Sequence, residues 1–119
     1  MEVSLEDLRR LYRYALVHCE EMCPAVRDPE TCFLMFQLGA LLGEKPPCAD
    51  VFGNFTEEVF RRIVSEIEEK YDKPIEEFLR EVRSRGPRSL EERSDEIEGS
   101  FALAALEVLK RRRGNAQVP

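Results

Sequence analysis

"DPETCFLMFQLGALLG", residues 28–43, is the stretch whose reading decides the fold. Asp28 offers a side-chain oxygen for a helix N-cap, Pro29 suits the first helical position, and Glu30 complements the N-terminal dipole. Gly43 is a natural residue to stop the same helix. Between these signals the residues from Phe33 to Leu42 are apolar on nearly every side, with no strand-like alternation of period two. A helix without a polar face is either central in a bundle or buried against another subunit. Gly39, Ala40 and Gly43 would let a neighbouring backbone come close. Phe33, Phe36, Leu38 and Leu42 are the candidate interface residues of this helix.

Working outward, the residues before this helix form another, over about 4–23. Leu5, Leu8, Tyr12, Ala15, Cys19 and Met22/Cys23 recur at spacings of three and four, which draws one apolar stripe. Ser4 is its N-cap, with Asp7 three residues on. The two helices make a hairpin over 4–43. Paired prolines and two glycines then read as a loop, 44–55. Thr56 caps a helix over 56–71, Pro74 restarts one over 74–85, and Gly86-Pro87 breaks it. Ser89 and Glu92 resemble a capping box for the last helix, 89–113, in which Gly99-Ser100 predicts a kink or a division. Gly114 reads as its stop, and 114–119 as a short tail. The expectation is an all-α protein, a single-domain bundle of about five helices with an N-terminal helical hairpin.

The chain has 119 residues and a formal charge of −6, unevenly spread. Up to Glu58 it carries 5 basic against 11 acidic residues, and from Val59 onward 13 against 13. Phosphate neutralisation needs a basic face, so nucleic acid is not an expected partner. The longest apolar run is too short for a bilayer, and the acidic, amphipathic start does not resemble a signal peptide. A cytoplasmic protein follows. Arg and Glu dominate the charged set while Asn, Gln and His are scarce, which points to a thermophilic, archaeal-like source. In such a source intracellular disulfides are common.

Three of the four cysteines and the only histidine fall within residues 18–32. Cys19 and Cys23 are one helical turn apart, too far to bond each other. Cys23 and Cys32 flank the hairpin bend at about the same height, and a bridge there would staple the hairpin. Cys19 could pair with Cys48 only if the Pro46-Pro47 segment folds back. The alternative use of Cys19, Cys23, Cys32 and Cys48 is a zinc site, an iron–sulfur cluster or a thiol-redox centre. Against it, Cys-x3-Cys-x8-Cys-x15-Cys lacks the paired short knuckles of common zinc modules. His18 points about 100° away from Cys19 around the helix. A nucleophilic thiol needs a base in reach, and no catalytic residue set assembles. No enzyme and no cofactor is expected.

Arg80, Arg83, Arg85 and Arg88 are possible anion contacts, but interleaved glutamates favour a surface ion-pair network. "EKYDKPIEEFL", residues 69–79, resembles the loop–helix stretch of short helical antitoxins, which implies a small nucleic-acid-associated regulator as a further alternative. Leu11-Tyr12-Arg13 resembles the motif of the LYR adaptors of iron–sulfur and respiratory-complex assembly. It covers three residues, and those adaptors are basic where this half is acidic; we read it as coincidence. The function that fits best is a non-enzymatic helical interaction or assembly module whose partner is a protein, a second copy of itself included.

Overall fold

In the computed structural model, which describes residues 3–22 and 28–116, the described chain is helical, with no strand among those residues. The helices are α1 (Leu5–Met22), α2 (Pro29–Leu42), α3 (Ala49–Phe52), α4 (Glu57–Tyr71), α5 (Ile75–Arg85) and α6 (Leu90–Ala116). The chain divides into two compact units, Met1–Phe55 and Thr56–Pro119.

In the first unit, local chemistry sets the ends of the helices. Ser4 Oγ accepts from the Asp7 N–H at 3.1 Å, starting α1. Asp28 accepts from the Glu30 N–H at 3.2 Å and from the Thr31 hydroxyl at 2.7 Å, starting α2. At the other end of α2, Gly43 adopts φ 73°, a left-handed conformation open to glycine. Its N–H and that of Glu44 donate back to Ala40 O and Gly39 O, at 3.4 and 2.7 Å, closing a Schellman turn. Tyr12, Met35 and Leu42 form the centre of the hairpin, with Leu8, Ala15, Leu16 and Leu38 packed around them. Phe55 returns to α2, its ring 5.7 Å from Phe33 and 5.9 Å from Phe36.

The loop expected over 44–55 contains one helical turn, α3. Prolines forbid a helix running through them but not one beginning just after. Ala49 and Asp50 donate to the Pro46 and Pro47 carbonyls at 3.0 and 3.1 Å, and Gly53 ends the turn at φ 91°.

The second unit is a three-helix arrangement in which α6 packs against both α4 and α5. Its core is Ile67, Ile75, Phe78, Leu79 and Val82, backed by Ile63, Val64, Tyr71 and Leu103. Thr56 Oγ1 caps α4 through the Val59 N–H at 3.4 Å. Asp72 ends α4 in the left-handed region at φ 53°, which Asp tolerates better than most residues. Glu68 then accepts from the Ile75 N–H at 2.8 Å, so the end of α4 caps the start of α5. The helix is not divided at Gly99-Ser100, and α6 is continuous through them. A Cβ on Gly99 would stand 3.0 Å from Ile75 Cδ1 and 3.3 Å from Ile67 Cδ1. The glycine serves close packing against α4 and α5. Nor does Gly114 stop the helix, which runs to Ala116.

The candidate Cys19–Cys48 disulfide is a correction. No two described cysteines are at disulfide distance, so Cys19 and Cys48 are not bridged. Cys23 lies outside the described residues, and the Cys23–Cys32 bridge with it.

Candidate functional site

Two places in the first unit concentrate unusual features. The first surrounds Tyr12, whose side chain is fully buried and whose hydroxyl has no hydrogen-bond partner among the described residues. Glu44 Oε2 is likewise buried without a partner. A Cβ on Gly39 would stand only 2.9 Å from the Tyr12 hydroxyl, so α2 approaches α1 closely at this glycine. Burial, then the charges of Glu44, Cys48 and Cys19, hold the Tyr12 pKa above its ordinary value. Cys48 and Cys19 thus both bear electrostatically on one phenol, and they are not bonded to each other. Arg13 pairs with Glu44 Oε1 at 3.1 Å, and Arg9 donates to the Leu42 carbonyl at 3.4 Å. These two arginines fix the register of α1 against the end of α2. Cys32 is half-buried near the start of α2. Among the described residues, no group of three or more His, Cys, Asp or Glu could hold a metal ion.

The second place is the outside of the hairpin. On α1, Leu11, Tyr14 and Val17 are 60, 79 and 58% exposed, on the side away from Tyr12. On α2, Leu34 and Leu41 are 49 and 65% exposed. Seven residues apart, they share one helix face. Phe36 and Leu42, candidate interface residues by sequence, are buried within the chain. Phe33 and Leu38 are half-buried, one against Phe55 and the other against the Tyr12 cluster. The outward apolar positions of α2 are thus Leu34 and Leu41. The sequence of α1 carries two apolar stripes, and the denser one, through Tyr12, masks the outward one. Spacing of three residues from Leu11 to Tyr14 to Val17 was the available signal. His18 is exposed, and Cys19 half-buried.

In the second unit the arginine group is engaged by carboxylates. Arg85 grips Glu92 with two nitrogens, at 2.6 and 3.2 Å, while the Arg88 N–H donates to the same carboxylate at 3.0 Å. The Arg85 bonds first, and the Arg88 N–H second, hold the Glu92 pKa down to about 2. Arg83 donates to Ser100 Oγ at 2.6 Å and lies 3.9 Å from Glu96, which also takes Arg93 at 2.6 Å. Arg80 and Arg88 side chains are exposed. Lys70 bridges Glu91 and Asp95, and hydrogen bonds to both raise its pKa. The Tyr71 hydroxyl donates to Asp95 at 2.6 Å; burial first and that bond second push Tyr71 up to about 12. Beside this network is a shallow groove of about 270 Å³, lined by Ile63, Glu66, Ile67, Lys70, Asp95 and Glu98. Its ion pairs are those of a structural rim.

No helix among the described residues is long and apolar enough to cross a membrane. No protein-family model, curated protein or solved structure matches this chain.

Proposed function

We propose that the chain is a non-enzymatic helical interaction or assembly module that works as a homodimer through the outer surface of the α1–α2 hairpin. The observation that carries this reading is the exposure of five large apolar side chains, Leu11, Tyr14, Val17, Leu34 and Leu41, on two adjacent helices. Single exposed leucines are ordinary, but this many on so small a unit suit surfaces that another molecule covers. Tyr14, between Leu11 and Val17 on the outer side of α1, suits an interface, since it brings a large apolar area with few rotatable bonds. The mechanism is presentation of a rigid helical surface, with Arg9 and Arg13 keeping the hairpin in register.

Sedimentation equilibrium over a concentration series tests this. The expected mass rises from monomer towards twice the chain mass between about 1 µM and 1 mM, the range of modest interfaces. Separate variants Tyr14→Lys and Leu41→Lys locate the surface: at least one lowers the mass, while Leu90→Lys, at an exposed leucine of the second unit, does not. A monomer at every concentration overturns the reading. The same proposal places the protein in the cytoplasm of a thermophile, on its Arg and Glu content; a melting temperature in the mesophile range of about 45–65 °C would count against that origin.

A further inference from the structure

The α2 face and the α1 face differ in one respect that matters for a second copy. Leu34 and Leu41 are separated by Gln37 and Ala40, and the one charged group of that helix, Glu30 a turn before Leu34, has no basic counterpart on the helix to set a register. On α1 the outward positions run Asp7, Leu11, Tyr14, His18, spaced four, three and four, all exposed. That is the alternation of a two-helix seam, with an apolar middle, an acid at one end and an imidazole at the other.

We propose that the second copy docks on this face by antiparallel self-pairing of α1, an inference that rests on the homodimer reading above. With a two-fold axis between Leu11 and Tyr14, Leu11 packs on the partner's Tyr14, and Tyr14 on the partner's Leu11. The same register sets Asp7 opposite the partner's His18 and His18 opposite the partner's Asp7. The imidazole donates an N–H to the carboxylate at each end. Charge decides the direction. In a parallel pair Asp7 would face Asp7 of the partner subunit and His18 would face His18 of the partner subunit, leaving both ends mismatched. Antiparallel pairing makes both ends complementary, and a two-fold contact repeats the match. Val17 and Arg10, seven residues apart, share one flank of the seam. From Asp7 to His18 the helix rises about 16 Å, so the seam is short. Such a contact belongs at the weak end of specific interfaces, with dissociation constants of about 10–100 µM.

A charge-swap cycle, read by sedimentation equilibrium with helicity checked by circular dichroism, tests the register. Asp7→Lys removes the carboxylate that accepts from the imidazole N–H at each end, and His18→Glu sets two acids against each other; each raises the dissociation constant about tenfold. The double variant Asp7→Lys/His18→Glu restores it to within about threefold, because each end regains an opposite partner. Asp7→Asn, which leaves the first turn capped by Ser4, gives a smaller loss and serves if Asp7→Lys loses helicity. A double variant no tighter than the singles, in a protein that still dimerises, overturns the α1 register and leaves the homodimer standing. A wild-type protein that stays monomeric near 1 mM overturns the homodimer itself, and the register with it.

Discussion

Replacing Gly39 by alanine separates two opposing effects that the structure makes quantitative. Alanine is the better helix former, by about 0.8–1.0 kcal/mol in a helix interior. The added Cβ, however, would stand 2.7 Å from the Glu44 carbonyl oxygen, 2.9 Å from the Tyr12 hydroxyl and 3.3 Å from Tyr12 Cζ. None of these neighbours gives easily. The Glu44 backbone is held by its own 2.7 Å bond to Gly39 O, and Tyr12 is fully buried. Overpacking costs about 1–3 kcal/mol, and with backbone as the obstacle the upper part of that range, about 2–3, applies, so the expected net effect is a loss of about 1–2 kcal/mol after the helix gain. Gly99→Ala is the matched control. There the Cβ meets side-chain ends, Ile75 Cδ1 at 3.0 Å, Ile67 Cδ1 at 3.3 Å and Leu79 Cδ2 at 3.7 Å, which can turn aside. Its strain and its helix gain nearly cancel, and stability stays within about 0.5 kcal/mol of wild type. Urea unfolding followed by far-ultraviolet circular dichroism measures both. A Gly39→Ala protein as stable as wild type would refute the close-approach argument, and so would a Gly99→Ala protein that loses more than it does.

Tyr12→Phe removes a buried hydroxyl that has no partner, so it should raise stability by about 1 kcal/mol in the same assay, where most Tyr→Phe changes lower it. A loss would show that the hydroxyl is satisfied after all. Glu92→Gln addresses the Arg85 pair. Because the folded carboxyl titrates at about 2, below its unfolded value of about 4.3, the pair's stabilisation is present above that value and fades as pH falls towards 2. The stability gap between wild type and variant should therefore close over that interval; a gap independent of pH sinks the argument. Tyr71 has the opposite sign. Its folded pKa of about 12 lies above the unfolded value of about 10, so its contribution is intact below pH 10 and is lost as pH rises towards 12. Tyr71→Phe should lose less stability than wild type across that alkaline range, and equal losses would contradict it.

Helix boundaries were legible wherever a cap is local chemistry. Asp28 and Pro29, Thr56, and Ser89 with Glu92 each announce a helix within four residues, and each does so in the structure. Glycines were harder, because one residue type serves three purposes. Gly43 does end a helix, but Gly99 makes room for two isoleucines distant in sequence, and Gly114 simply continues α6. α2 failed differently. A helix apolar all round has no polar face to say which side is inward, so only the packing of Tyr12 and Phe55 distinguishes buried Phe36 and Leu42 from exposed Leu34 and Leu41. The position of Cys48 depends on how Pro46 and Pro47 turn, and no spacing in the chain encodes that.

The two units reach stability by different routes, and the contrast favours the hairpin as the working surface. In the second unit an aliphatic and aromatic core is rimmed by ion pairs, and even its buried carboxylates, Glu92 and Glu96, are gripped by arginines. Its one strongly exposed large apolar side chain among the described residues is Leu90, at the start of α6. The first unit is smaller in its centre, with Tyr12, Met35 and Leu42, yet among the described residues it turns a tyrosine and six aliphatic side chains to solvent. A short unit buries a smaller fraction of its surface than a long one and can least forgo apolar burial. Outward leucines at Leu11, Leu34 and Leu41 contribute nothing to the hairpin while they stay wet. In the proposed α1 pairing a second copy would cover Leu11, so that completing the hairpin's apolar burial on that side and associating would be a single event.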